Sequence, residues 1–361
     1  MLEHLSNISL YNNLYQQDYQ SFKYGYLLRP FHKSQDPTSL KIALLNTDEH
    51  DYSEFRKALF QLAHNFKAID IVDLGQIKGG FIGLTETVDY LVKHKIFPII
   101  IGKDKQVVDS QFRAYEHQRD LLHLTLVDSH LDWSEKDSLL INKLLERHPN
   151  ILANFSCVGY QLHYCNPVAI DFLKDKFFEL FRLSKIQQHL ADIEPIVRNT
   201  DLLGFNLASI KSSDAPCTTH PNPNGFFATE ACKILRYATM SDQLSSLSIF
   251  GYDPTLADHG QTAQLVAQLI WYAISGFYAR KGEYPVDTDR LTKYVVEPTH
   301  HDYPLTFFKS SKSERWWLWV PKLEIHPIYQ HQPLIPCSYQ DYQKACDGEI
   351  SARLLRIFSQ F

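Results

Sequence analysis

Residues 122–132 read Leu-His-Leu-Thr-Leu-Val-Asp-Ser-His-Leu-Asp, an apolar run that stops at a carboxylate and then alternates acid, imidazole and acid. Leu122–Val127 has the length and composition of a buried strand. Similar runs recur on both sides: Ile42–Asn46, Ala68–Leu74 and Phe97–Ile101 before it, Ile151–Val158, Leu202–Leu207 and Ser246–Tyr252 after it. Between them lie stretches with helical spacing. In Ser53–His64 the residues Phe55, Ala58, Leu59 and Leu62 fall on one face, and Thr85–His94, Val107–His117, Thr229–Ala238 and Thr262–Ala279 read as further helices. Strands that are apolar throughout and alternate with helices predict a mainly parallel sheet covered on both faces, a three-layer α/β/α domain. Ligands of such sheets sit beyond the carboxyl ends of the strands. The residues that matter most are therefore 102–105, 128–132, 206–208 and 251–253.

The chain has 361 residues, 44% of them hydrophobic and 21% charged, the balance of a soluble globular protein. That length buries a sufficient core without a disulfide or a structural metal. Lys and Arg number 36 against 41 Asp and Glu, a net charge of -5, which argues against a nucleic-acid partner. Six scattered cysteines without a C-x-x-C pair fit reduced thiols in a cytoplasmic protein. No apolar leader opens the chain and no apolar run reaches about 18 residues, so no membrane span is expected. Residues 1–38 read as an N-terminal extension in which Tyr11, Tyr15 and Tyr19, four residues apart, form a docking face. Residues 39–283 carry the α/β pattern. Residues 284–361, with Trp316, Trp317 and Trp319, read as a C-terminal extension packed on the same domain.

Asp128, His130 and Asp132 share a face while the chain stays extended. Their oxygen and imidazole donors suit Mn²⁺, Zn²⁺ or Fe²⁺. Over roughly residues 40–280 the sequence resembles the ureohydrolases (arginase, agmatinase, formimidoylglutamase), through five motifs in order. Phe97–Gln106 (FPIIIGKDKQ) resembles the family's strand ending in Gly-Gly-Asp-His, and Val127–Asp132 (VDSHLD) its Asp-Ala-His-x-Asp. Leu203–Pro216 (LGFNLASIKSSDAP) resembles the Ser-x-Asp-x-Asp strand and its loop, Ser248–Pro254 (SIFGYDP) the Glu-x-Asn-Pro strand, and Gln261–Ala267 (QTAQLVA) the Thr-Ala helix. The tail segments Lys309–Trp317 and Pro336–Ala345 are similar to a bacterial formimidoylglutamase-like subgroup. The resemblance implies an arginase-like three-layer fold with a mainly parallel sheet of about eight strands.

In that family two Mn²⁺ ions share four carboxylates and two histidines, and a bridging hydroxide attacks a guanidinium or formimidoyl carbon. Carried over by resemblance, the first histidine falls on Lys105, the two aspartates of the third motif on Asn206 and Ala208, and the substrate-side glutamate on Gly251. Asp128, His130 and Asp132 remain as the remnant of the metal site. One ion would keep only Asp128 and Asp132, the other only Asp128 and His130. Catalytic metal sites generally keep about three protein ligands. The expectation is therefore no cofactor, with Mn²⁺ as the alternative, and Lys105 standing in for the lost metal charge by pairing with Asp128 and Asp132. His220 and Asn224 are expected at the cleft rim, and Asp253 as a cap or a tie to an adjacent loop. Gly79-Gly80-x-x-Gly83 reads as a turn.

The sequence thus points to a catalytically degenerate homologue, a pseudoenzyme that binds an unknown protein partner or a small amino-acid-like ligand. The resemblance also implies a homo-oligomer. Two alternatives stand beside this reading: an Mn-dependent amidinohydrolase acting on formimidoyl-glutamate or a guanidino compound, and a metal-free small-molecule binder.

Overall fold

A computed structural model describes residues 11–31, 39–47, 50–66, 71–119, 121–131, 140, 144–145, 151–283, 286–297, 304–319, 334–351 and 354–355. The main sheet has nine strands: β1 (Arg29–Pro30), β2 (Ile42–Asn46), β3 (Ile71–Gln76), β4 (Phe97–Ile101), β5 (Leu122–Val127), β6 (Leu152–Tyr160), β7 (Glu179–Arg182), β8 (Leu202–Asn206) and β9 (Ser246–Phe250). Their order is β1-β3-β2-β4-β9-β8-β5-β6-β7. Every pairing is parallel. β1 contributes only two residues at one edge, so eight strands carry the sheet.

Alternation along each strand splits the core into two layers, because successive side chains point to opposite faces. Ile42 and Leu44 of β2 and Ile99 and Ile101 of β4 face one cluster. Ala43, Leu45 and Ile100 face the other. The first cluster is covered by α3 (Ser53–Gln61) and, further along the chain, by Ala228–Thr239 and Gln261–Tyr278. The second is covered by α4 (Gly80–Lys93), α5 (Gln106–Arg113) and α6 (Pro167–Asp175). The three layers predicted from the sequence are present.

Helix boundaries moved where local chemistry overrides periodicity. α4 begins five residues before the predicted Thr85, since Gly79, at φ 84°, turns the chain sharply out of β3. α5 ends at Arg113, short of the predicted His117. The region between β6 and β8 holds β7, α6, α7 (Leu183–Gln188) and α8 (Ile193–Arg198), none of which the hydrophobic pattern announced. A local signal for α6 does exist: Asn166 accepts from the Val168 N–H at 3.0 Å, followed by Pro167 in the first turn.

At the N-terminus Tyr11 and Tyr19 are buried and Tyr15 is half-buried, although the helix there, α1, covers only Asn12–Tyr15 and is followed by the one-turn α2 (Tyr24–Leu27). What they cover includes a fully buried ion pair. Arg56 of α3 donates from Nε and Nη2 to Asp73 of β3 at 2.7 and 2.9 Å, and Tyr15 donates its hydroxyl to the same carboxylate at 2.7 Å. Tyr11 lies with its ring 4.1 Å from the guanidinium carbon.

Beyond the main sheet, β10 (Leu291–Val296), β11 (Leu305–Ser310), β12 (Trp316–Trp319) and β13 (Leu334–Cys337) form a four-stranded antiparallel sheet with its own apolar cluster. Trp316 is buried in that cluster, Trp317 is buried against Arg198, and Trp319 is exposed. Arg198 at the end of α8 donates to the carbonyls of Trp316 and Cys337, at 2.9 Å each, tying this sheet to the main body. Among the described residues no helix is long and apolar enough to cross a membrane.

Candidate functional site

β4, β9, β8 and β5 are consecutive in the sheet, so the four segments singled out in the sequence emerge side by side at one edge. The chain builds β4 on one flank and β5 three strands away, and it returns with β9 to close the gap. That reversal is where open parallel sheets form their clefts. The cleft here encloses about 370 Å³. Lys103, Lys105, Asp128, His130, Asn206, Thr219 and His220 line it, with Asp104 and Phe250.

Asp128 is the buried centre. The chain remains in register with β6 for one residue past β5, the Asp128 N–H donating to the Val158 carbonyl at 3.0 Å, and this fixes the carboxylate at the cleft floor. Asp128 is 1% exposed. Its Oδ2 accepts from Lys105 Nζ at 3.0 Å. Its Oδ1 accepts from Asn206 Nδ2 at 3.0 Å and from the His130 N–H at 3.1 Å. A buried carboxylate needs a compensating charge and satisfied lone pairs, and these three groups supply both.

Asn206 works in two directions. Its Oδ1 accepts the Ala208 N–H at 3.0 Å, capping the short 3₁₀ turn Leu207–Ser209, while its amide faces Asp128. Ala208 is itself buried. Gly251, directly after β9, sits at φ 84°, and a Cβ there would lie 2.5 Å from Asn206 Oδ1. Glycine is therefore required twice, by backbone conformation and by close approach. A side chain cannot be added at 251 without displacing Asn206.

His130 packs its ring against Tyr164, with centroids 4.5 Å apart and planes 20° from parallel, and its Nδ1 lies 2.8 Å from Ser129 Oγ. His220 is exposed at the mouth, its ring centroid 6.5 Å from that of His130. Asn224 is not among the cleft-lining residues: its carbonyl accepts from Gln161 Nε2 at 3.0 Å. Asp253 pairs with Lys103 at 2.8 Å and accepts from Thr255 through both its N–H and its hydroxyl. Burial alone would raise the Asp253 carboxyl, but the bonds from Lys103 and Thr255 outweigh it and hold it below the usual carboxylate range. The sequence reading placed Lys103 in the 102–105 segment but assigned it no role; it links that loop to the 251–253 loop. Asp132 lies outside the described residues.

Other acids and histidines considered near the motifs sit elsewhere. Asp201, at the opposite end of β8, pairs with Arg119 and accepts the His123 N–H at 2.9 Å. Asp214 accepts the Ala228 N–H at 2.9 Å, at the start of α9 (Ala228–Thr239). His94 is exposed at the end of α4, its Nδ1 2.7 Å from the Tyr90 carbonyl. Among the described residues no three His, Cys, Asp or Glu side chains gather as a metal-ligand group.

The arginase family model matches residues 35–276, more than half of the chain. The chain belongs to the arginase family. A formimidoylglutamase of Lysinibacillus sphaericus (strain C3-41) is 22% identical over 215 residues, 55% of this chain and 66% of the relative, just under two thirds of its length. Among solved structures, a Trypanosoma cruzi formiminoglutamase with Mn²⁺ superposes with a TM-score of 0.63 at 19% identity, covering 72% of this chain and 99% of that one. The formimidoylglutamase of Bacillus subtilis gives 0.62 at 16% identity, covering 73% and 95%. At these identities the structural matches establish the three-layer fold of this arginase-family chain. The family match ends at Gly276 within α10 (Gln261–Tyr278), so the antiparallel sheet β10–β13 lies beyond it.

Proposed function

We propose that this arginase-family chain is a pseudoenzyme: a protein that has exchanged the family's Mn²⁺ chemistry for a metal-free, charge-balanced cleft and acts by binding. The observation that carries the reading is the Lys105–Asp128 pair at 3.0 Å. An ammonium occupies one oxygen of the carboxylate that would have to bridge two cations, and the Asn206 amide and a backbone N–H occupy the other. The described donors do not fit a pair of Mn²⁺ ions. Of the family ligand positions, the described residues supply Asp128 and His130, which fall short of about three protein ligands per catalytic ion, and a fixed ammonium repels a cation at that distance. Gly251 supports the same reading, since the substrate-side carboxylate has no room to return.

Self-association and a cytoplasmic location belong to this proposal as expectations from the family resemblance. The test is the metal content of the full chain, purified after growth and dialysis with Mn²⁺, together with an assay for formamide or urea release. Substoichiometric metal and no release are expected. One or two tightly held ions per chain would overturn the proposal and favour a working amidinohydrolase, the activity named for the formimidoylglutamase relatives.

A further inference from the structure

We propose that the outer edge of β10 is the surface on which a second copy of this chain docks, joining the two four-stranded sheets edge to edge about a two-fold axis. The inference is independent of whether the cleft holds a metal. It gives the expected self-association a surface, and that surface lies outside the region matched by the arginase family model. Three observations carry it. First, β10 differs from the other strand edges of the two sheets, which are β1, β7 and β13. A sheet edge presents unpaired N–H and C=O groups, and proteins usually blunt it by shortness, proline or cover. β1 has two residues and includes Pro30, and β7 has four residues. β13 has four, includes Pro336 and is buried throughout. β10 has six residues, none of them proline, and runs in unbroken register with β11 from Leu291–Ser310 to Val296–Leu305. Among the described residues no strand pairs with its other side.

Second, the strand is apolar where it is open. Val295 is 55% exposed, with Thr292 and Lys293 exposed beside it. A valine in a strand is favoured by packing against a cross-strand neighbour, and a strand on the far side would supply one. Third, the order of residues is complementary to itself. A two-fold axis normal to the sheet makes the new pairing antiparallel and keeps each face continuous, so residues that meet are an even number apart in sequence. With the axis at Val295, that residue meets its own copy, Tyr294 meets Val296, and Lys293 of each copy meets Glu297 of the other. Lys293 and Glu297 are exposed, and neither forms an ion pair among the described residues. An axis at Lys293 would oppose like charges, and one at Tyr294 would set Lys293 against Val295 and Leu291 against Glu297. The register centred on Val295 avoids both. Its charge match favours a second copy over an unrelated extended peptide, which has no reason to carry these two charges at this spacing.

A contact of this kind lies at the small end of specific interfaces, so a dimer that dissociates in the micromolar range is expected. The experiment is sedimentation velocity of the full chain from low to several hundred micromolar. Glu297→Lys opposes lysines at two places and should weaken the dimer at least tenfold, and the charge-swapped Lys293→Glu/Glu297→Lys variant should restore it. Both positions are exposed, so these variants are expected to fold. Val295→Cys gives a second reading. Directly opposed residues of antiparallel strands have Cα atoms about 4.5–5.5 Å apart, within the range a disulfide spans, so this variant should form a covalent dimer on mild oxidation. Lys293→Cys is the control, because its two copies would be offset by four residues, about 13 Å. Wild type, which carries the exposed Cys346, should not crosslink. A chain that stays monomeric throughout would overturn the inference and the expected self-association together. A dimer that ignores Glu297→Lys, a charge swap that fails to restore it, or Val295→Cys crosslinking no faster than Lys293→Cys would overturn the inference alone and place self-association on another surface.

Discussion

Replacing Lys105 with Met keeps most of the aliphatic stem and removes the ammonium 3.0 Å from Asp128 Oδ2. Two charges at that distance interact by about 5–6 kcal/mol at an effective dielectric constant of about 20. Much of this is offset by the cost of holding Lys105 out of water, and its side chain is still 20% exposed. Asp128 stays 1% exposed in the variant, keeping the bonds from Asn206 and the His130 N–H but losing its only described cationic partner. Breaking one side of a buried pair costs about 3–5 kcal/mol, and the remaining bonds and partial solvent access place Lys105→Met at the lower end, about 3 kcal/mol. Urea denaturation at pH 7 of wild type, Lys105→Met, Asp128→Asn and the double variant forms a complete cycle. The expected coupling is about 2 kcal/mol, with the double variant more stable than the sum of the single losses predicts. Additivity within about 0.5 kcal/mol would mean that the two charges are independent, and the claim that the lysine replaces the metal's charge would fall.

Gly251→Ala combines a left-handed backbone cost of about 1–2 kcal/mol with overpacking against Asn206 of about 1–3 kcal/mol. A loss of about 2–5 kcal/mol in the urea midpoint analysis is expected, and an unchanged midpoint would contradict the close approach. Arg56→Met strands the buried Asp73 carboxylate and should cost about 3–5 kcal/mol, part of which Asp73→Asn restores in the double variant; a double-variant loss equal to the sum of the two single losses would show that the charges are not coupled. The Asp253 carboxyl is held below its ordinary value, so its contribution to stability is fully present above the unfolded value near about 4 and is lost as pH falls through the depressed one. Asp253→Asn should therefore flatten the acid limb of the stability curve below about pH 4 relative to wild type, and parallel limbs would count against the Lys103 tie. Finally, the triple variant Lys105→His/Asn206→Asp/Ala208→Asp should gain saturable Mn²⁺ binding by calorimetry without gaining hydrolysis, while full hydrolysis would show that no carboxylate is needed at position 251.

The parallel sheet was legible because β2, β4, β5, β8 and β9 are buried almost throughout on both faces, and such strands are mainly apolar rather than alternating. The edge region was harder to read. β7 is four residues long, α7 and α8 are six each, and such short pieces owe their form to packing more than to their own periodicity. The antiparallel sheet of the C-terminal part was also missed, although Trp316–Trp319 and Leu305–Ser310 carry the aromatic enrichment of strands. At the site, the departures from the family motifs identified Lys105, Asn206, Ala208 and Gly251 as positions of interest. Only the folded chain shows that Asn206 caps the 207–209 turn while donating to Asp128, and that Gly251 is fitted to it. The role of Lys103 was not legible because its partner, Asp253, is distant in sequence and meets it only across the β4–β9 pairing.

The position of β9 has a consequence for how the molecule is assembled during synthesis. The strands before it form two separate ribbons, β1-β3-β2-β4 and β8-β5-β6-β7, each with an open edge awaiting the same insert. Ile99 finds Leu247, and Leu203 finds Leu247 as well, only after residues 246–250 have left the ribosome. Such late, non-local pairing slows folding, and exposed strand edges invite pairing with other chains. A nascent chain stalled short of residue 246 would present two such edges at once, and the cleft would not yet exist. The keystone strand thus makes completion of the cleft and protection from aggregation a single event.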